Sequence, residues 1–256
     1  GVNQNIKYDG TRLTKMGIVA APYPATQGSP SAGNLKAGTR QYKLTLMTAQ
    51  FEGSPNDAFL TVTCTASKKY TVPSPVRGTG ANQFDDPQVT QWRLYGTEAG
   101  GGTYRFIGTT DIGTDIEVNI KDTDLEEKHP LEQFANNPPP APAVAMAEHR
   151  GQLAAVFTDD LNLVRFSYMD QNYMVPEGWP EDYVQPIAHG DGDAIKALAS
   201  MQEWLVCFKE QGTWAIAGEE FAEYKVVPVL AAGGGRHIGI GCYAQGTVLQ
   251  AENAIM

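Results

Sequence analysis

Several features that define common protein classes are scarce in this sequence. Its 256 residues include three cysteines without Cys-x-x-Cys spacing, so no disulfide scaffold is expected. No run of about 18 apolar residues is present, so no membrane-spanning helix is predicted. The four histidines lack the His-x-x-x-His spacing of a zinc site: His129, His149, His189 and His237. We therefore expect no cofactor and no bound metal.

Basic residues are scarce in the second half of the chain. Of 19 Lys and Arg residues, only 6 fall in residues 141–256, which hold 15 of the 29 Asp and Glu residues. Affinity for nucleic acid comes mostly from Lys and Arg contacts with phosphates, so this half is not expected to grip DNA or RNA. Its acidic excess favours either simple solubility or a surface that repels phosphates.

Helical periodicity is nearly absent, and short alternating runs are interrupted by Gly, Pro, Asn or Asp about every ten residues. This rhythm is typical of an all-β protein. In "RQYKLTLMTAQ" the apolar Tyr42, Leu44 and Leu46 alternate with polar residues, which predicts a strand with one solvent-facing side. Further strands are predicted at residues 58–66, 90–97, 103–110 and 114–122. Together they predict an immunoglobulin- or fibronectin-like β-sandwich over residues 38–135, preceded by an extended N-terminal arm of residues 1–37.

A proline-rich stretch, "NNPPPAPA", predicts a stiff linker over residues 136–143. Short strands with Gly or acidic turns follow in residues 144–256, and "EWLVCFK-EQG-TWAIAG" predicts a hairpin. Strands of this length and spacing predict a partial β-propeller of about two blades. Because two blades cannot close a ring, this propeller is expected to be incomplete.

Aromatic residues mark the candidate core and the candidate interface. Trp92, Tyr95, Trp204 and Trp214 lie in strand-like runs and are expected in the core. The turn-rich "DQNYMVPEGWPEDYV" carries three aromatic residues that are expected either to contact a partner, such as a sugar ring, or to pack at a blade edge: Tyr173, Trp179 and Tyr183.

The stretch "AHGDGDAIKAL" raises the question of a metal-binding loop. Counted from Asp191, the calcium-loop positions 5, 6 and 12 are Ile195, Lys196 and Gln202, none of which fits the EF-hand pattern. A turn is therefore predicted, because Asp and Gly favour turns. No Gly-x-Ser-x-Gly motif is present, and the Gly-rich residues 231–241 lack a P-loop lysine, so no catalytic residue is predicted.

Two segments resemble proteins of double-stranded DNA bacteriophage tails. "VTQWRLYGTEAGGGTYRFIGTTDIGTDIEVNIKDTDLEEKHPLE" resembles their fibronectin-III-like module, with Gly96 where that module usually has Arg. "HRGQLAAVF", the later "PEGWP", "GDGDAIKAL" and "WLVCFKEQGTW" are similar, in this order, to the propeller of tail nozzle, tail tubular and tail-hub proteins. The resemblance covers roughly residues 88–250, and in this family the Gly-Asp-Gly-Asp element is a structural turn.

The resemblance implies a structural virion protein, not an enzyme, made in the host cytoplasm and located in the tail. Its partners would be copies of itself in a ring, other tail proteins, portal or adaptor proteins, and genome DNA that passes through the lumen without sequence-specific binding. Two alternatives stay open. One is a module that binds a host surface glycan or receptor through its aromatic turns, and the other is a propeller-type glycoside hydrolase.

Overall fold

The computed structural model confirms the all-β prediction, with one α-helix in its described part, α1 (Asp122–Glu126). The structure describes residues 5–8, 10–24, 27–49, 51–56, 58–80, 83–131, 137–170, 173–229, 241–242, 244–248, 250–251 and 254–255. The chain divides into two compact units. We call residues 8–138 the N-terminal unit, and residues 139–256 together with residues 1–7 the C-terminal unit. No helix in the described residues is long and apolar enough to cross a membrane.

The first eleven strands lie before the proline-rich stretch. They are β1 (Ile6–Tyr8), β2 (Leu13–Lys15), β3 (Ser31–Leu35), β4 (Gly38–Met47), β5 (Leu60–Cys64), β6 (Lys68–Val72), β7 (Val76–Arg77), β8 (Gln83–Phe84), β9 (Gln91–Gly96), β10 (Arg105–Asp111) and β11 (Ile116–Val118).

Two antiparallel sheets form most of the N-terminal unit, with strand orders β10-β9-β4-β5 and β11-β6-β3. Both sheets contribute to one hydrophobic core, so the arrangement is sandwich-like. Alternate residues of β4 face this core, as predicted: Tyr42, Leu44 and Leu46 are all part of it. The opposite face differs from the prediction, because Lys43 and Thr45 are also buried there.

Part of the predicted N-terminal arm belongs to this core. Residues 31–35 form β3, which pairs with β6, and Ile18 and Ala21 are fully buried among the core side chains. A leader of this length is expected to be ordered only by packing on something else, and Ile18 and Ala21 do pack on the core. Strand β3 was not predicted, because the leader is rich in Gly, Pro, Ala and Ser and shows no sustained alternation. Burying Ile18 on a core that is already formed offsets the cost of ordering the chain around it.

The remaining strands lie after the proline-rich stretch. They are β12 (Ala143–His149), β13 (Gln152–Phe157), β14 (Asp160–Phe166), β15 (Tyr168–Asp170), β16 (Tyr173–Val175), β17 (Val184–Pro186), β18 (Ile195–Met201), β19 (Trp204–Lys209), β20 (Thr213–Ala217), β21 (Lys225–Pro228), β22 (Gln250–Ala251) and β23 (Ala254–Ile255). Two short 3-10 helices accompany them, Phe221–Glu223 and Gln245–Thr247.

Two four-stranded antiparallel sheets dominate the C-terminal unit, with strand orders β12-β13-β14-β17 and β18-β19-β20-β21. The predicted hairpin is present as β19 and β20. Both sheets contribute to one core that includes Val156, Phe166, Leu205 and Ile216. Propeller blades are also four-stranded antiparallel sheets, and the propeller assignment stays a prediction.

The first described residues are fastened to the C-terminal unit by polar contacts. The side-chain amide of Asn5 donates to the carbonyl of Ala141 and accepts from the backbone N–H of Ala143. These two hydrogen bonds hold Asn5 beside the start of β12. Lys7 forms an ion pair with Glu177, whose side chain is only 4% exposed. These contacts order the segment without an apolar core of its own.

Candidate functional site

The Gly-Asp-Gly-Asp element (residues 190–193, here the GDGD turn) forms an ion pair with the buried side chain of Lys209. The Lys209 ammonium group lies 2.8 Å from both carboxylate oxygens of Asp191, 2.9 Å from Oδ1 of Asn162 and 3.2 Å from the carbonyl oxygen of Ala188. Lys209 is 1% exposed, and the side chain of Asp191 is 37% exposed. We call these four oxygen atoms the oxygen cluster.

The second aspartate of the turn holds the β19–β20 hairpin. The carboxylate of Asp193 accepts hydrogen bonds from the backbone N–H groups of Glu210 at 3.0 Å and Gln211 at 2.9 Å. Its own N–H donates to Asp191 at 2.9 Å. Gly190 and Gly192 have φ values of +92° and +79°, which L residues with side chains rarely adopt. The carboxylates of the turn are therefore engaged with the chain itself.

The electrostatics of the pair follow from its position. Partial burial raises the pKa of Asp191, but the hydrogen bond from Lys209, the bond from the Asp193 N–H and the Lys209 charge outweigh it and leave the pKa lowered. Asp191 is thus the ionised partner of a buried ammonium. In the described residues, no group of three or more His, Cys, Asp or Glu side chains could hold a metal ion.

A second polar contact joins the two sheets of the C-terminal unit. Nδ1 of His149, on β12, lies 2.9 Å from the hydroxyl of Ser200, on β18. His149 is 1% exposed, and its Nε2 has no hydrogen-bond partner within the described part of the chain. Burial, together with the nearby Arg150 charge, lowers the pKa of His149 to about 4. Such an imidazole is neutral near pH 7.

A cavity of about 330 Å³ adjoins this contact, lined by Met146, Ala147, Glu148, Leu198, Ala199, Ser200, Gln245 and Val248. The side chain of Gln245 accepts from the N–H of Leu198 and donates to its carbonyl, so it covers the edge of β18. A Ser-His pair suggests nucleophilic catalysis, but that chemistry needs an orienting acid on the second imidazole nitrogen and a base with a pKa near the working pH. In the part of the chain that the structure describes, no acid lies on Nε2 of His149 and its pKa is lowered, so we interpret its bond with Ser200 as a link between β12 and β18.

Acid is expected to destabilise the C-terminal unit through His149. The pKa of His149 is about 4 in the folded protein and 6.5 in the unfolded chain. The contribution of neutral His149 to the unfolding free energy is therefore fully present above pH 6.5 and is lost as the pH falls toward 4. The loss between pH 7 and pH 5 should be about 2 kcal/mol, measured as the change in unfolding free energy in urea. His149→Gln, which can still bond to Ser200, should remove most of this pH dependence.

The matched control for this prediction is His189→Gln. His189 is 61% exposed, and within the described residues its Nε2 lies 3.4 Å from the carboxylate of Asp160, so this variant removes a histidine without disturbing the contact between His149 and Ser200. An identical pH profile in wild type and His149→Gln would contradict the interpretation.

A hydrogen-bond network centred on the carboxylate of Glu52 lies on the outer face of β4 and β9 and was not predicted from the sequence. Glu52 accepts hydrogen bonds from Thr45 at 2.5 Å, Tyr95 at 2.7 Å and Arg93 at 2.5 Å. Burial and the Glu52 carboxylate raise the pKa of Tyr95. Both Glu52 oxygens are bonded, and the network gives the hydroxyl of the fully buried Thr45 a hydrogen-bond partner.

Two of the predicted interface residues, Trp179 and Tyr183, pack against neighbouring rings. Trp179 is 3% exposed, its ring meets Phe157 edge-on at 4.9 Å, and its N–H donates to the carbonyl of Pro176. Tyr183 is partly buried and stacks on Phe221 at 4.6 Å. Tyr173 begins β16, and its side chain lies outside the described residues, as do residues 231–240 of the Gly-rich stretch. Of the two alternatives predicted for Trp179, contact with a partner and packing, the structure shows packing, because this turn folds inward and the indole N–H is bonded within it.

The predicted core residues divide by strand phase. Trp92 is fully buried in the N-terminal core, whereas Tyr95, also buried at 2% exposure, lies on the opposite face of β9 and bonds to Glu52. Trp214 packs partly buried against the core of the C-terminal unit. Trp204 is 43% exposed, so its assignment to the core is wrong. Along β19, Leu205 and Cys207 face the core, which turns Trp204 to the other side.

Comparison with known proteins adds no family to this description. No family model, no curated protein and no solved structure matches the chain. The resemblance to phage tail proteins therefore stays a prediction from sequence, and the function must be argued from the residues themselves.

Proposed function

We propose that this protein is a structural component of a bacteriophage tail or neck, which assembles with copies of itself and with other tail proteins around the DNA conduit. It would act by holding a shape against its neighbours rather than by turning over a substrate. The proposal extends the sequence resemblance, which is carried by the order of the Trp-Arg-Leu-Tyr strand, the GDGD turn and the hairpin that follows it.

The observation that carries the proposal is the use made of the motif residues. Asp191 and Lys209 neutralise each other inside the C-terminal unit, and Asp193 caps the hairpin backbone. Trp92 fills the N-terminal core. These ionisable and aromatic side chains thus hold strands and turns in position, as a component of a rigid assembly requires.

The charge distribution supports the same role. Residues 141–256 hold 15 acidic residues against 6 Lys and Arg residues. A lumen wall of this composition repels phosphates, so DNA would pass without the counterion release that holds it on basic surfaces. The acidic side chains would have to face the lumen for this account to apply.

Assembly is the property that tests the proposal. We expect the purified chain to form a closed oligomer of one fixed order as its concentration is raised, because ring interfaces are repeated between identical copies. Sedimentation velocity over a concentration series measures the order, and negative-stain images of the same fractions show whether the particle is a ring. A monomer at every concentration, alone and when mixed with tail proteins from the same virion, would overturn the proposal.

A further inference from the structure

The oxygen cluster around Lys209 has the composition of a cation site. It combines one carboxylate, one side-chain amide oxygen and one backbone carbonyl oxygen, contributed by the GDGD turn, β14 and residue 188. We propose that Asn162, Ala188 and Asp191 form a binding site for a primary ammonium ion, which the chain fills permanently with its own Lys209. This inference does not rest on the proposed function.

The distances select the class of cation. The oxygens lie 2.8–3.2 Å from Nζ, whereas calcium binds oxygen at about 2.3–2.6 Å and takes six to eight ligands, and magnesium requires about 2.0–2.1 Å. An ammonium group has three N–H donors, and the site offers three acceptor groups. The site therefore matches an –NH₃⁺ group in both size and number of bonds.

Burial shows that the site is built into the fold. Lys209 is 1% exposed and ends β19, on the same face of the strand as the core residues Leu205 and Cys207. Its aliphatic stem is therefore enclosed, and truncation to alanine would leave a channel with the length of a propyl group. The Asp191 side chain, at 37% exposure, leaves one side of the site open to solvent.

The site explains why a lysine and a Gly-Asp-Gly-Asp turn occur in the same unit. Without a cation, the Asp191 carboxylate and two carbonyl-type oxygens would face each other with no compensating charge. Filling the site from within makes the turn independent of free metal ions. A chelator should therefore leave the wild-type protein unchanged.

Chemical rescue of Lys209→Ala tests the proposal. Propylammonium chloride supplies the atoms that the substitution removes and should raise the thermal midpoint of this variant saturably, by about 4 °C or more. The same concentration should change the wild-type midpoint by less than about 1 °C. If Lys209→Ala does not fold alone, the readout becomes the yield of folded protein on dilution from urea, with and without the amine.

Three controls separate cation binding from general effects. 1-Propanol has the same shape without charge and should not rescue. Lys209→Met fills the channel and should not respond to the amine, and Lys196→Ala removes a lysine that is 33% exposed and should behave as wild type. Equal rescue by propanol, rescue of Lys209→Met, or rescue by calcium chloride in place of the amine would overturn the proposal.

Discussion

Replacing Trp92 by alanine is expected to lower the unfolding free energy of the N-terminal unit by about 3–5 kcal/mol. Trp92 is 0% exposed and lies on β9, between Leu46 of β4 and Thr110 of β10. Its indole N–H also donates to the carbonyl of Thr114 at 3.0 Å. The substitution therefore leaves a cavity between the two sheets and a carbonyl without its donor. Urea denaturation followed by circular dichroism measures the change.

The same substitution at Trp204 is the matched control. At 43% exposure the Trp204 side chain contributes little to a core, so Trp204→Ala should change the unfolding free energy by about 0.5 kcal/mol or less. Equal losses in the two variants, or a larger loss in Trp204→Ala, would contradict the assignment of Trp92 to the core and of Trp204 to the surface.

The all-β class could be predicted because alternation is a local signal. Tyr42, Leu44 and Leu46 alternate in sequence and face one core in the structure. Alternation alone does not say which phase of a run is buried when both phases contain apolar residues. In β19, Trp204 and Leu205 are both apolar and lie on opposite faces of the strand. Leu205 is the buried one, because its face packs against the neighbouring sheet.

The candidate site could be predicted only in part, for a similar reason. A turn at residues 190–193 followed from the failure of the calcium-loop spacing and from the turn preference of Asp and Gly. Its partner could not be predicted, because Lys209 meets Asp191 across 18 residues and meets Asn162 across 47. Glu52 was missed likewise, since its contact with Tyr95 spans 43 residues. Such pairs depend on how strands are placed in space.

Breaking the Asp191–Lys209 pair is expected to have unequal effects depending on which partner is removed. Asp191→Ala leaves the ammonium of Lys209 buried without a counter-charge and should cost about 3 kcal/mol of unfolding free energy. Lys209→Met leaves the oxygens of Asn162 and Ala188 without this donor, but the Asp191 carboxylate is already 37% exposed and can be hydrated, so the cost should be smaller, about 1–2 kcal/mol. Urea denaturation of both variants at pH 7 measures the difference.

Acid should remove the difference between wild type and Asp191→Ala. Because the pKa of Asp191 is lowered in the folded state, its contribution is present above its ordinary value of 3.8 and is lost as the pH falls through the lowered value. Once Asp191 is protonated, wild type carries the same uncompensated ammonium as the variant. Equal costs for the two substitutions at pH 7, or a difference between wild type and Asp191→Ala that persists in acid, would mean that the buried ammonium is stabilised by Asn162 and Ala188 rather than by the carboxylate.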